Sequence, residues 1–454
     1  MRFASSLRHV LNQKHAWIHG ILKMRPSKYW AIVSMLCLIL VAANFLNNGP
    51  FIVHFQQDSD CLVWGKIFYS DVVVNGPDRT GLIGVFSNGD FVRINNLIDV
   101  ATGAKQHCAI IAKSYYSQFG LLGYTCEKAW VVWKTFGGNA KYFVVMGYML
   151  SVIFAMMLAI IVAMWFNKEM GRLASTAFLL CWFGSKWILA MAGSMYWALW
   201  TWFLPMVIAM LYVRKKRSPG TAILLILQMT VLMTIRFLCG YEFASAIAIS
   251  AMSPIVYVGF RDQWTLMDIL KHIIWVFAAS IVSFALAISM HIVELYNILG
   301  SCKDALHRFM AVIAKRGGSA AVVNDYKDVI NASEMRAEIQ SLAVPLHRVL
   351  AIYIFQSGTW MMLSVFTVIV LSICFGLLLA KLRLYINKSI YSPEIVTVII
   401  FSCAGPLSWI ILMRGHAYIH QHIDFVLWYV PFLLWLFPCV GLLVEEAVRS
   451  QNRK

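Results

Sequence analysis

Apolar residues run in long blocks along this chain, and polar residues collect between them. A helix rises 1.5 Å per residue, so about 20 apolar residues carry it across the hydrocarbon of a bilayer. Blocks of roughly that size lie at 29–47, 142–166, 173–192, 195–213, 220–238, 243–260, 272–293, 351–379, 395–413 and 425–444. The pattern predicts an all-α, polytopic membrane helix bundle of about ten transmembrane helices. A basic N-terminal segment, 1–28, precedes the transmembrane domain, 29–444, and a short tail, 445–454, follows it. The first block is unlike a cleaved signal peptide, because its apolar run exceeds the 7–15 residues of a signal core.

Two connections are long, 48–141 and 294–350, and loops of such length carry structure or function of their own. Both are expected to be helical. In the first, Ser59 or Asp60 caps a short helix bearing Leu62, Trp64, Ile67 and Phe68. Turn signals stand at Asn75-Gly76-Pro77-Asp78 and Ser87-Asn88-Gly89-Asp90. The aromatic stretch from Tyr115 to Phe136 either lies along the membrane surface or forms a small folded loop on the bundle. The second connection reads as a helix at 302–315, a Gly317-Gly318-Ser319 turn, and a helix beginning near Asn331, with Glu334 completing a capping box.

Composition agrees with this reading. Hydrophobic residues make up 60% of 454, more than one soluble core can hide. The net charge of +17 sorts by side and is no nucleic-acid footprint. With the N-terminus inside, the inner segments hold 20 Lys and Arg against 6 Asp and Glu, while the outer ones hold 17 against 15. That excess predicts both termini in the cytoplasm and both long loops outside. The inner loops leave no room for a nucleotide-binding domain, and no P-loop or dinucleotide-binding glycine pattern is present. Of the ten cysteines, Cys61, Cys108, Cys126 and Cys302 fall in outer loops; Cys108 with Cys126 is one pair able to bridge in an oxidising compartment, and sequence does not fix the pairing.

The residues able to do chemistry collect at one membrane face. Asp58-Ser59-Asp60 follows the first block. Two carboxylates one residue apart can share a divalent metal, Mg or Mn, or act as a base and its orienting partner; they are otherwise ordinary loop acids. Arg236 and Glu242 flank a short turn through Gly240-Tyr241; the arginine either grips a phosphate or pairs with Glu242 to tie two helices. Arg414, His416, His420, His422 and Asp424 open the last outer loop. They suit phosphate or sugar hydroxyls, zinc, or headgroup contact. Lys186 lies near Tyr196-Trp197, where it snorkels outward or meets an anion, and Trp197, Trp200 and Trp202 form an interface belt or a sugar-stacking surface. His291 and Glu294 end the seventh block on the same side. Gln228, Ser283 and Ser402 are the main polar residues near mid-membrane, fewer than an ion path needs.

Taken together these features resemble the GT-C superfamily of glycosyltransferases. Those are polytopic enzymes with a long first outer loop and acidic residues just beyond the first helix. Asp58-Ser59-Asp60 occupies the place of that acidic motif. The aromatic stretch Tyr196-Trp197 to Pro205, Gly240-Tyr241-Glu242 and His416-Ala417-Tyr418-Ile419-His420 resemble bacterial members of this class. The Trp-Trp-Asp signature of oligosaccharyltransferases and a large C-terminal soluble domain are absent, which argues against N-linked transfer. The resemblance implies a bacterial inner-membrane enzyme, similar to an O-antigen glucosyltransferase. It would move one sugar from a polyprenyl-phosphate donor to a glycan or lipid hydroxyl at the periplasmic face. Asp58 and Asp60 are then the catalytic pair, and Lys186, Tyr196, Trp197, Arg236, Tyr241, Glu242, Arg414, His416 and His420 bind substrate. Two alternatives stand beside it: a transporter or flippase of a lipid-linked sugar, and a glycan polymerase or ligase using a lipid-diphosphate donor.

Overall fold

The computed structural model describes residues 20–46, 57–72, 80–87, 90–92, 94–102, 110–215, 218–317, 345–356, 363–384 and 392–451. In chain order the helices are α1 (Pro26–Leu46), α2 (Gln57–Ile67), α3 (Tyr69–Val72), α4 (Ile94–Ala101), α5 (Leu121–Thr135), α6 (Ala140–Glu169), α7 (Arg172–Phe183), α8 (Lys186–Ala192), α9 (Leu199–Tyr212), α10 (Pro219–Cys239), α11 (Ala244–Arg261), α12 (Leu266–Leu299), α13 (Cys302–Gly317), α14 (Leu346–Phe355), α15 (Val365–Leu384), α16 (Pro393–Leu412), α17 (Arg414–Ile419), α18 (Gln421–Asp424) and α19 (Phe432–Gln451). This is the all-α membrane bundle that the apolar blocks predict.

Helix boundaries follow local chemistry. Asn139 caps α6 by accepting from the Lys141 amide, and Thr265 caps α12 by accepting from the Asp268 amide. Ser218 and Thr221 form a reciprocal capping box on α10, with Pro219 at its first position. Gly300 ends α12 with φ 74°, a left-handed stop that glycine adopts without strain.

Among the described residues, six helices are long and apolar enough to cross a membrane, or seven if α7 and α8 count as one span bent by 71°. The sequence pattern expects about ten, and three blocks account for the difference. The block at 195–213 yields only the 14-residue α9, because Met195 to Ala198 form a loop instead of its first turn. The block at 351–379 resolves into α14 and α15. The described side chains of the first helix end at residue 39. The bend in the 173–192 block falls at Gly184-Ser185, where the Ser185 hydroxyl accepts from the Ile188 amide and starts a new helix.

The first long connection holds more than helices. Strands β1 (Ile83–Ser87), β2 (Asp90–Phe91) and β3 (Ile110–Ser114) make an antiparallel sheet in the order β2-β1-β3. Ser87 pairs with Asp90 across the Asn88-Gly89 signal, whose two residues lie outside the described set. Helix α2 packs on β1 and α5, burying Trp64, Ile67 and Phe68, the apolar face expected of it. In the aromatic stretch Trp130 is buried, its ring meeting Phe68 edge-on at 5.0 Å and Phe143 of α6 at 5.2 Å, while Val131, Val132 and Phe136 are exposed. In the second connection α13 matches the expected helix at 302–315, and Asn331 and Glu334 lie outside the described residues.

Candidate functional site

The site grows from the loop between α8 and α9. Ala198 takes a left-handed backbone, φ 45°, and the chain turns before α9 begins. This aims two donors at α2: the Ser194 hydroxyl and the Tyr196 amide reach Asp60 Oδ1 at 2.7 and 3.0 Å. Tyr148 of α6 donates to Oδ2 at 3.5 Å, and its own hydroxyl accepts from Trp64 Nε1 at 3.2 Å. Asp60 is buried, 7% exposed. Burial pushes its carboxyl up to about 6, against the lowering effect of the Tyr196 amide and Ser194. Asp58 sits in the first turn of α2, two residues before it, and its side chain lies outside the described residues.

Tyr196 continues the chain. Its hydroxyl donates to the Gln118 side-chain oxygen at 3.0 Å, and the Gln118 amide donates to both Glu242 oxygens at 3.2 and 2.9 Å, in the amide orientation that satisfies both groups. Arg316 of α13 closes on Glu242 Oε1 at 2.8 Å. Burial pushes the Glu242 carboxyl up, but Arg316, His416 and Arg236 together outweigh it and hold it below the ordinary glutamate value. The approach is close enough to specify glycine at 240: a Cβ there would stand 2.6 Å from Glu242 Oε2 and 2.7 Å from the Gln118 side-chain amide.

Arg236, on the last turn of α10, is 1% exposed. Its Nη2 donates to the Glu242 backbone carbonyl at 3.0 Å, not to the carboxylate, and its guanidinium lies 5.3 Å from the Trp202 ring centre. Its Nε and Nη1 have no hydrogen-bond partner among the described residues. Of the two alternatives for Arg236, the ion pair with Glu242 does not form; Arg316 takes that carboxylate, and Arg236 keeps donor capacity in a buried place. Tyr241 turns away, its hydroxyl donating to the Ala287 carbonyl at 3.3 Å and its ring lying near His291 and Phe309. Phe243 follows with φ 65° and stacks on Trp197 at 5.6 Å, an aromatic wall beneath the polar chain.

Helix α17 packs on α13 and α16. His416 Nδ1 lies 3.2 Å from Asp424 Oδ2, and the His416 and His420 rings are 4.3 Å apart. Arg414 starts this helix, with its Nε buried and unpartnered among the described residues. The His422 side chain lies outside the described set. Lys186 packs its ammonium 4.7 Å from the Trp187 ring centre, and no hydrogen bond or ion pair joins it to the chain from Asp60 to Arg316 among the described residues. In that same set no group of three or more His, Cys, Asp or Glu residues is arranged to hold a metal, and Cys126 is a free thiol. Cys108 lies outside it.

Asp60, Tyr196, Arg236, Glu242 and His416 are therefore brought together, with Trp197 beneath them. Tyr148, Ser194, Gln118 and Arg316 complete the arrangement, and sequence reasoning passed over all four. Arg316 directly precedes the Gly317-Gly318 turn, the one local mark that sets it apart from other basic residues of its helix. No family model, no curated protein and no solved structure matches this chain.

Proposed function

We propose that this protein is a membrane glycosyltransferase that moves a single sugar from a polyprenyl-phosphate donor to a hydroxyl of a glycan or lipid, at the periplasmic face of a bacterial inner membrane. The observation that carries this reading is the buried junction of an acidic anchor with a cationic one. Asp60 is tied through Tyr196 and Gln118 to Glu242, and Arg236 stands beside Glu242 with two donors unspent. A lipid phosphate supplies what those donors lack, and an arginine suits a phosphate through paired N–H bonds.

In this mechanism the acceptor oxygen attacks the anomeric carbon while the bond from that carbon to the phosphate oxygen breaks. The acceptor proton passes to Asp58, and the bonding pair leaves with the lipid phosphate. Attack opposite the leaving group inverts the anomeric configuration. Asp60, held by Ser194, Tyr196 and Tyr148, positions the helix that presents Asp58. Arg236, Arg414 and Arg316 offset the charge that grows on the phosphate. Where Mg or Mn takes part, Asp58 and Asp60 are the residues to hold it. A translocation path is disfavoured by the mid-membrane serines, since Ser283 and Ser402 spend their hydroxyls on backbone carbonyls of Ala279 and Ile399.

The test is transfer from a polyprenyl-phosphate sugar by membrane-embedded protein. Asp58→Asn keeps shape and removes the proton acceptor, so the rate should fall by about 10²–10⁴ with insertion unchanged. Full activity in Asp58→Asn and Asp60→Asn combined would make these acids structural and turn preference to the transporter reading.

A further inference from the structure

A cleft of about 410 Å³ lies between the loop leading into α5 and the last turns of α12, with Phe119, Tyr124, Met290, Val293, Glu294 and Asn297 in its lining. Its α12 wall continues a lipid-facing stripe. Val282, Leu286, Met290 and Val293 follow one another at helical spacing, each 45–57% exposed. In a bilayer these residues meet acyl chains, so the cleft is the polar end of an apolar track.

At that end stands Glu294, whose side chain is only 5% exposed. Its Oε1 accepts from the Tyr124 hydroxyl at 2.6 Å and the Gly81 amide at 3.2 Å. Its Oε2 accepts no hydrogen bond from the described residues, and His291 Nε2 stands 3.9 Å away. A buried carboxylate oxygen left in this condition costs about 1–3 kcal/mol or more, which a donor from a ligand would remove. The Phe119 and Tyr124 rings, 5.3 Å apart and inclined at 48°, give that ligand a concave aromatic wall.

What Oε2 lacks is a hydrogen-bond donor. The nearby cations are already spent, Lys66 on Glu127 at 3.1 Å and Arg316 on Glu242 at 2.8 Å. A quaternary ammonium carries no N–H and leaves that oxygen unpaired. A hydroxyl donates to it. We propose that the cleft binds the uncharged, hydroxyl-bearing head group of a bilayer amphiphile, whose hydrocarbon chain lies along the exposed stripe of α12. This site uses no group of the Asp60–Arg316 chain and does not depend on sugar transfer.

The experiment uses the full chain in phosphatidylcholine nanodiscs with an alkyl glucoside that carries a diazirine in its chain. Illumination should place the adduct within residues 282–297. Unlabelled alkyl glucoside should displace it, while an alkyl trimethylammonium of equal chain length and methyl glucoside should not at the same concentration. Glu294→Gln keeps an acceptor for Tyr124 and Gly81 but loses the charge, and should cut the adduct about tenfold. Val293→Trp fills the cleft from an exposed position without touching the core and should abolish the adduct. Equal displacement by the ammonium compound would overturn the head-group assignment, and equal displacement by methyl glucoside would overturn the lipid part. An adduct unchanged in Val293→Trp would overturn the site.

Discussion

The two ends of the bundle treat buried and half-buried arginines in opposite ways. Where α6, α9 and α11 finish, Glu169 takes Arg214 on one oxygen at 2.7 Å and Arg261 on the other at 2.5 Å, and Asp262 takes the rest of Arg261 at 2.7 Å. Nearby, Glu445 accepts from the Leu173 amide at 2.8 Å and pairs with Arg449, fastening α19 to the start of α7. Each of these three carboxylates has a cationic partner. At the opposite end of α10, Arg236 is more deeply buried than Arg214 or Arg261 and has only a backbone carbonyl and an indole face. A fully matched cluster holds helices together; a buried cation with idle donors costs stability, and it is the feature on which the proposed ligand site rests.

Exchanging methionine for arginine at each end tests this contrast most severely. Arg236→Met should lower sugar transfer by about 10²–10³, as loss of a donor to developing charge does, with little change in melting temperature. Arg261→Met should leave transfer unchanged and lower melting by about 1–3 °C, since half-exposed pairs contribute roughly 0.2–1 kcal/mol. The reverse pattern, read by parallel melting curves and transfer rates, would make Arg236 a structural residue.

Gly240→Ala sharpens the same contrast on a smaller scale. The new methyl displaces Glu242 or Gln118 by a fraction of an ångström, and transfer should fall about tenfold with no change in the Glu169 cluster. Rates equal to those of the parent would show that the Gln118–Glu242 contact does not serve the reaction.

That contact also shows what a sequence can and cannot reveal. Blocks such as 142–166, 220–238 and 272–293 are legible because lipid demands an unbroken apolar run, and the corresponding helices form. Arg236 and Glu242 were legible as chemistry because charge beside hydrocarbon is costly. Their partners were not. Gln118 sits inside an aromatic stretch, and Arg316 lies on an amphipathic helix with several basic residues; pairing across such separations is decided by tertiary packing. Strands β1 and β3 escaped notice for a related reason, since runs of five residues such as Ile83–Ser87 and Ile110–Ser114 carry too little periodicity to separate strand from loop.

Acidity gives a smaller effect with a definite sign. Asp60 has a value raised from 3.8 to about 6, so the folded state favours its protonated form. Its contribution to stability is complete below pH 3.8 and lost as pH rises through about 6. Melting temperature should therefore fall between these limits, and Asp60→Asn should flatten that slope while leaving the rest of the profile intact. A slope unchanged in the variant would assign the titration elsewhere. The smallest effect is expected at Lys186, whose ammonium rests on Trp187: Lys186→Met should keep transfer within about twofold, the reach of a partly exposed cation–π contact of about 0.5 kcal/mol.

The late start of α9 has a consequence for depth. Fourteen residues span roughly 21 Å at 1.5 Å per residue, about 9 Å short of a typical hydrocarbon layer. The loop that makes up the difference is the one that holds Asp60 through Ser194 and Tyr196. In a bilayer of that thickness an upright α9 would leave the polar chain below the plane of the headgroups at that end. A lipid-borne group reaching it would travel sideways within its leaflet, and its tail would stay among its neighbours throughout.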